Sequence, residues 1–116
     1  MNANNSRKCV EKAIHELLDG PDPVDALLFS TNQLAAWGLK HINSLSLTVP
    51  DDLAIISFDE TEALDLFYSP ITYIKQPLQE MGREATKILL DNFGKKSEPV
   101  QISLPAELII RESTKV

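Results

Sequence analysis

The stretch Asp25-Ala-Leu-Leu-Phe-Ser-Thr-Asn32 and the later Val49-Pro-Asp-Asp-Leu-Ala-Ile-Ile-Ser-Phe-Asp59-Glu60 decide the fold. Each is a short apolar run without polar alternation, the pattern of strands covered on both faces, as in a parallel α/β sheet. Both runs end in polar residues, and ligands of such sheets bind beyond the carboxyl ends of the strands. Asn32 and Asp59 are therefore the first candidates for a binding site.

Outward from these runs, helical and extended patterns alternate. Val10, Ala13, Ile14, Leu17 and Leu18 recur at helical spacing, with Ser6 as an N-cap and Gly20-Pro21 with Pro23 as the stop. Leu34, Ala35, Leu39 and Ile42 give a second helix that Thr31 or Asn32 can cap, and Asp51-Asp52 turn the chain into a strand over 53–58. A helical turn over 61–68 leads through Pro70 to a brief strand at 72–74, which Pro77 limits. Leu78, Met81, Gly82, Ala85, Ile88 and Leu89 then follow helical periodicity, and residues 100–104 and 107–111 read as two short strands around Pro105. This alternation predicts an α/β fold, a mostly parallel sheet flanked by helices and built on right-handed crossovers.

Bulk properties narrow the function. The 116 residues are 43% hydrophobic, the size and composition of one ordinary globular domain. A net charge of −6, from 11 basic against 17 acidic residues, opposes the phosphate contacts that supply non-specific nucleic-acid affinity. This segment is not expected to bind DNA by itself. Cys9 is the single cysteine, which excludes an internal disulfide and fits a reducing cytoplasm. No apolar run approaches the ~18 residues of a membrane span, and Met1-Asn-Ala-Asn-Asn5 lacks the charged and apolar regions of an export signal. The expectation is a soluble cytoplasmic protein without a membrane partner.

Seven segments, in order and spanning nearly the whole chain, carry a resemblance. They are Phe29-Ser-Thr-Asn32, Ala36-Trp-Gly-Leu39, Val49 to Asp59, Ser69-Pro-Ile-Thr72, Lys75-Gln-Pro77, Met81-Gly82 and Leu104-Pro-Ala-Glu-Leu-Ile-Ile-Arg-Glu-Ser113. In these the chain resembles the C-terminal part of LacI/GalR-family bacterial transcription regulators. The resemblance implies part of a periplasmic-binding-protein-like (type I) effector domain, with residues 1–116 forming its C-terminal portion and no DNA-binding headpiece. It implies that the chain starts inside the second of two lobes and that residues 72–93 belong to the first. The helix beginning at Leu78 would then lack its natural sheet.

The same resemblance assigns residues. Asn32 and Asp59 would reach into the cleft and hydrogen-bond ligand hydroxyls, and an amide paired with a carboxylate suits a sugar or related metabolite. Asn5 falls near a position where relatives set an aromatic ring against the ligand, and Gln33 stands where relatives usually carry Asp. The plainer reading keeps Asn32 as a helix cap and Asp59 with Glu60 at another helix's positive end. Trp37 lies off the core stripe of its helix, and relatives dimerise through that face and the loop at Leu66 and Phe67. The alternative for Trp37 is packing within its own subunit. The implied partners are a small-molecule effector, a second copy of the chain in a homodimer, and DNA only through a headpiece; no cofactor is implied.

Other chemistry finds little support. His15 and His41 are isolated in sequence without metal-ligand spacing, and read as surface histidines. Ser30 and Ser57 lack a nucleophile elbow, and no paired acid and base can be assembled, so the chain reads as non-enzymatic. Gly38 and Gly82 read as close-packing sites. A periplasmic-type sugar receptor is the alternative, against which stands the regulator-like ending Leu104 to Ser113. A phosphoacceptor receiver is weaker still, because no acidic pair follows the first strand to hold Mg²⁺.

Overall fold

A computed structural model describes residues 3–96 and 98–115. The elements run α1 (Ala3–Asp19), β1 (Ala26–Phe29), α2 (Asn32–Ile42), β2 (Ala54–Phe58), α3 (Glu62–Leu66), β3 (Thr72–Lys75), α4 (Leu78–Asp91) and β4 (Glu107–Ile109), closing with a 3₁₀ turn at Glu112–Thr114. The four strands form one sheet in the order β1-β2-β3-β4. β1 and β3 flank β2 in parallel, and β4 joins β3 antiparallel, with Tyr73 opposite Ile109. The expected mostly parallel α/β sheet is thus present.

Register explains where the core lies. Leu27, Phe29, Ile55, Ser57, Tyr73 and Ile109 share one face, because Leu27 pairs with Ile55, Phe29 with Ser57, Ser57 with Tyr73 and Tyr73 with Ile109. Ile14 of α1, Ala35, Leu39 and Ile42 of α2, and Leu64 of α3 are buried in the cluster that includes Phe29, Ile55 and Tyr73. The other face carries Leu28 and Leu108, more than half exposed at 57% and 54%. The expectation of strands covered on both faces is corrected: one helical layer covers one face, so burial along β2 alternates residue by residue.

Three further differences have simple causes. α1 begins at Ala3, so Ser6 lies inside the helix rather than capping it. Residues 100–104 form no strand: they pair with none of the described strands, although the outer edges of β1 and β4 are open. Residues 72–75, expected to leave this sheet for another lobe, are instead its third strand, hydrogen-bonded to β2 through the Ile56–Thr72 and Phe58–Ile74 pairs. The chain departs from the sheet only after Lys75. α4, which follows, buries none of its residues, and Leu78, Leu89 and Leu90 on it are each about two-thirds exposed, at 68%, 66% and 69%.

The end of the chain is fastened to the sheet by hydroxyls. Ser113 is fully buried; its Oγ donates to the Ile55 carbonyl at 2.5 Å and accepts from the Thr72 amide at 2.8 Å. Thr72 Oγ1 in turn accepts from the Arg111 amide at 2.8 Å and bonds Thr114 Oγ1 at 2.7 Å. A buried polar group is tolerable only when its hydrogen bonds are made, and these are.

Candidate functional site

Beyond the carboxyl ends of β2 and β3 lies a hollow of about 660 Å³ lined by Asn32, Asp59, Glu60, Lys75, Gln76, Pro77, Leu78, Gln79 and Glu80. Its position follows from topology: parallel strands deliver their C-terminal residues to one edge, and the chain turns there from β3 into α4. Asn32 and Asp59, singled out from the sequence, meet in it. Asn5 does not line it; that residue sits exposed on the first turn of α1.

Local geometry separates the roles left open at Asn32. Thr31 is the N-cap of α2, its side chain accepting from the Leu34 amide at 3.2 Å. Asn32 is the first helical residue, exposed, and its side chain makes no hydrogen bond among the described residues. Its amide is thus free to donate to and accept from a ligand.

Asp59 is set differently. Its φ of 74° places it in the left-handed region, one that Asp tolerates better than most residues but that still costs on the order of 1 kcal/mol. Its amide donates to the Ile74 carbonyl at 2.9 Å, which holds the turn against β3. The Gln76 side-chain amide donates to Asp59 Oδ1, leaving the other carboxylate oxygen for a further donor. The plain reading of Asp59 as a charge on the short α3 loses ground, since Thr61 stands at that cap and the Asp59 carboxylate is taken by Gln76.

Gln76 is a site residue that sequence reasoning missed. Its place comes from strand register: it follows directly on β3, one residue past the pair Lys75–Glu107 and two past Phe58–Ile74, and so lands beside the turn after β2. Lys75 and Glu60 bring opposite charges to the same hollow, and Pro77 and Leu78 are the apolar side chains in its lining.

Behind the site, Tyr73 is buried, with the Arg111 guanidinium 5.9 Å from its ring centroid. Arg111 also pairs with Asp65 at 2.5 Å. Burial pushes the Tyr73 phenol above its usual value, and the neighbouring Glu60 carboxylate adds to the shift. The folded state therefore keeps this proton where the unfolded chain has lost it. Stability falls as pH rises above the unfolded value near 10, until the folded phenol also ionises. Urea titrations between pH 9 and 11 should show this decline, and Tyr73→Phe should flatten it.

The dimerisation residues divide. Leu66 is 84% exposed at the end of α3, and Trp37 is half-buried on α2. Phe67, expected to face a partner, belongs instead to the core cluster, with its ring 4.6 Å from that of Tyr68. The backbone after α3 is extended at Phe67, which turns that side chain inward and leaves Leu66 and Tyr68 outside.

The sequence matches the periplasmic binding protein-like domain over residues 2–114. The chain belongs to that family. Among curated proteins it is 38% identical over 105 residues to the transcriptional repressor CytR of Escherichia coli (strain K12), covering 90% of this chain and 31% of the relative. It is 32% identical over 102 residues to the transcriptional regulator CelR of Thermobifida fusca, covering 87% of this chain and 30% of the relative. The solved transcriptional regulator CelR–cellobiose complex superimposes with a TM-score of 0.77 at 32% identity, over 92% of this chain and 33% of that one. These relatives are transcription regulators, and a LacI-family transcriptional regulator from Bifidobacterium animalis superimposes with a TM-score of 0.77 at 30% identity over 93% of this chain and 40% of that one, which agrees with the resemblance read from the seven segments. The periplasmic-binding-protein-like chain described here spans about a third of the length of the curated relatives it matches.

No helix among the described residues is long and apolar enough to cross a membrane.

Proposed function

We propose that the chain forms the second-lobe wall of an effector cleft in a LacI-family transcription regulator, sensing a sugar or related polyhydroxy metabolite. The observation that carries this reading is the pairing at one sheet edge of an uncommitted amide, Asn32, with a carboxylate, Asp59, that Gln76 orients and the backbone holds at positive φ. Strain at a turn is retained where the side chain it aims has a use. An amide that donates and accepts, beside a carboxylate that only accepts, matches vicinal hydroxyls. A relative whose structure is solved as a complex with cellobiose supports the ligand class.

In this reading α4, with its uncovered apolar face, belongs to the opposing lobe, and ligand held between the lobes favours one arrangement of the two. Leu66 and Tyr68, together with Trp37 on α2, form the homodimer face that passes the bias on. In this reading operator DNA is met through a headpiece outside residues 1–116, in keeping with the net charge of −6 on this part.

Saturation-transfer and amide-shift NMR on the chain, with a panel including cellobiose, ribose and other mono- and disaccharides at millimolar concentration, tests the site. The expected result is a binder whose perturbed amides cluster at Asn32, Asp59 and Gln76, weakened roughly tenfold by Asn32→Ala or Asp59→Ala, the worth of one charged or bidentate hydrogen bond. Perturbations confined to another surface, or affinities unchanged in both variants, overturn the assignment.

A further inference from the structure

His15 and His41, separated by 26 positions in sequence, meet where α1 packs on α2: their Nε2 atoms are 3.0 Å apart. The Asp19 carboxylate lies 3.1 Å from His15 Nδ1. An ionised carboxylate only accepts, so His15 carries its proton on Nδ1 and turns the lone pair of Nε2 toward His41. The His41 ring donates its Nε2 proton into that lone pair.

Three features go beyond an ordinary histidine contact. Both Nε2 atoms face one point between two helices. The rings stand at 72° with centroids 4.8 Å apart, closer than a straight N–H···N would put them, so the ring axes bend off the line joining the nitrogens. The carboxylate on the far nitrogen of His15 is the partner that metal-bound imidazoles almost always keep, fixing tautomer and raising basicity.

From this geometry we infer that His15 and His41 form a two-imidazole binding site for a divalent transition-metal ion, with Asp19 as the orienting partner of His15. With metal–nitrogen bonds of about 2.0–2.1 Å, nitrogens 3.0 Å apart subtend roughly 90–97° at the ion. That is the cis angle of tetragonal or octahedral coordination and is tighter than a tetrahedron, which ranks Ni²⁺ and Cu²⁺ ahead of Zn²⁺. Solvent completes the shell, since the His15 side chain is 49% exposed and no third His, Cys, Asp or Glu among the described residues joins them as a ligand. On binding, the His41 proton moves from Nε2 to Nδ1, and both Nε2 lone pairs coordinate. The ion then ties α1 to α2.

The test is calorimetric titration of the whole chain with Ni²⁺, in a Cys9→Ser background that removes the one thiol. Long-range ¹H–¹⁵N spectra of the imidazoles are recorded in parallel. The expected result is a single saturable site that moves the Nε2 signals of His15 and His41 and raises the melting temperature. His15→Gln and His41→Gln each weaken it more than tenfold, and Asp19→Asn by roughly tenfold. Circular dichroism checks that the variants, all at partly or fully exposed positions, remain folded. Equal affinity in the parent and the His15→Gln/His41→Gln double variant, or imidazole signals that Ni²⁺ leaves unmoved, overturns the assignment.

Discussion

Replacing Ser113 by Ala should lower the unfolding free energy by about 2–4 kcal/mol, although it removes one oxygen atom. That oxygen serves two buried backbone groups at once, the Ile55 carbonyl of β2 and the Thr72 amide of β3. Each buried group left without a partner costs about 1–3 kcal/mol. No water can take over without opening the end of the sheet, since Ser113, Ile55 and Thr72 are all at 1% exposure or less. Against a total stability of about 5–15 kcal/mol for a domain of this kind, the loss is a large share. Chemical denaturation should show a lower midpoint at unchanged slope, because the surface exposed on unfolding stays the same. Ser113→Thr, which keeps the hydroxyl, should lose less if the pocket admits a methyl group. A loss of unfolding free energy under about 0.5 kcal/mol in Ser113→Ala would mean that the closing 3₁₀ turn is not fastened as described.

The second large effect is expected at Gly38. A Cβ built there lies 2.3 Å from both Cε1 and Cζ of Phe29, well inside any real contact. Two terms oppose each other in Gly38→Ala. Helix propensity favours alanine by up to about 1 kcal/mol, while forcing a side chain into a packed core costs typically about 1–3 kcal/mol. Phe29 is buried and ends β1 opposite Ser57, so its ring has little room to retreat, and the clash should win by about 1–2 kcal/mol. Combining Gly38→Ala with Phe29→Leu should cost less than the sum of the two single changes, since the shorter side chain vacates the contact. Additive losses in that cycle would remove the contact from the explanation. Gly82, read from sequence in the same way, has nothing within 4 Å of a built Cβ, so close packing explains only the first of the two helical glycines.

These two residues mark how far sequence reasoning reaches. β1 and β2 were legible because each is a compact apolar run between turn residues, and the polar residue ending each run pointed to the cleft edge. Strand order and the single-sided cover were not legible, because an apolar run reads the same whether one or two layers of helix pack on it. Residues 100–104 carry the strand-like alternation Val100, Ile102, Leu104, yet a strand is made by pairing, and these residues pair with none of the described strands. At the site, Asn32 and Asp59 could be named from position alone. The left-handed turn at Asp59 and its Gln76 partner could not, since both depend on the register of β3. The His15–His41 pair was invisible for the same reason: it exists only through the packing of α1 on α2. Phe67 was misread because neighbouring apolar residues on a turn look alike, while the extended backbone there sends one in and leaves Leu66 out.

The uncovered state of α4 divides the molecule by the lifetime of its hydrogen bonds. β2 is paired on both sides and opens only when the sheet does, so its amide protons should exchange at a rate set by global unfolding. α4 has 14 residues and buries none of them, and helices of that length are marginal in water on their own hydrogen bonds. Its amides should exchange far faster, through local fraying that leaves the sheet intact. A ligand or second lobe that covers Leu78, Leu89 and Leu90 would slow that exchange without altering β2, so the protection of one helix reports closure of the cleft separately from the stability of the fold.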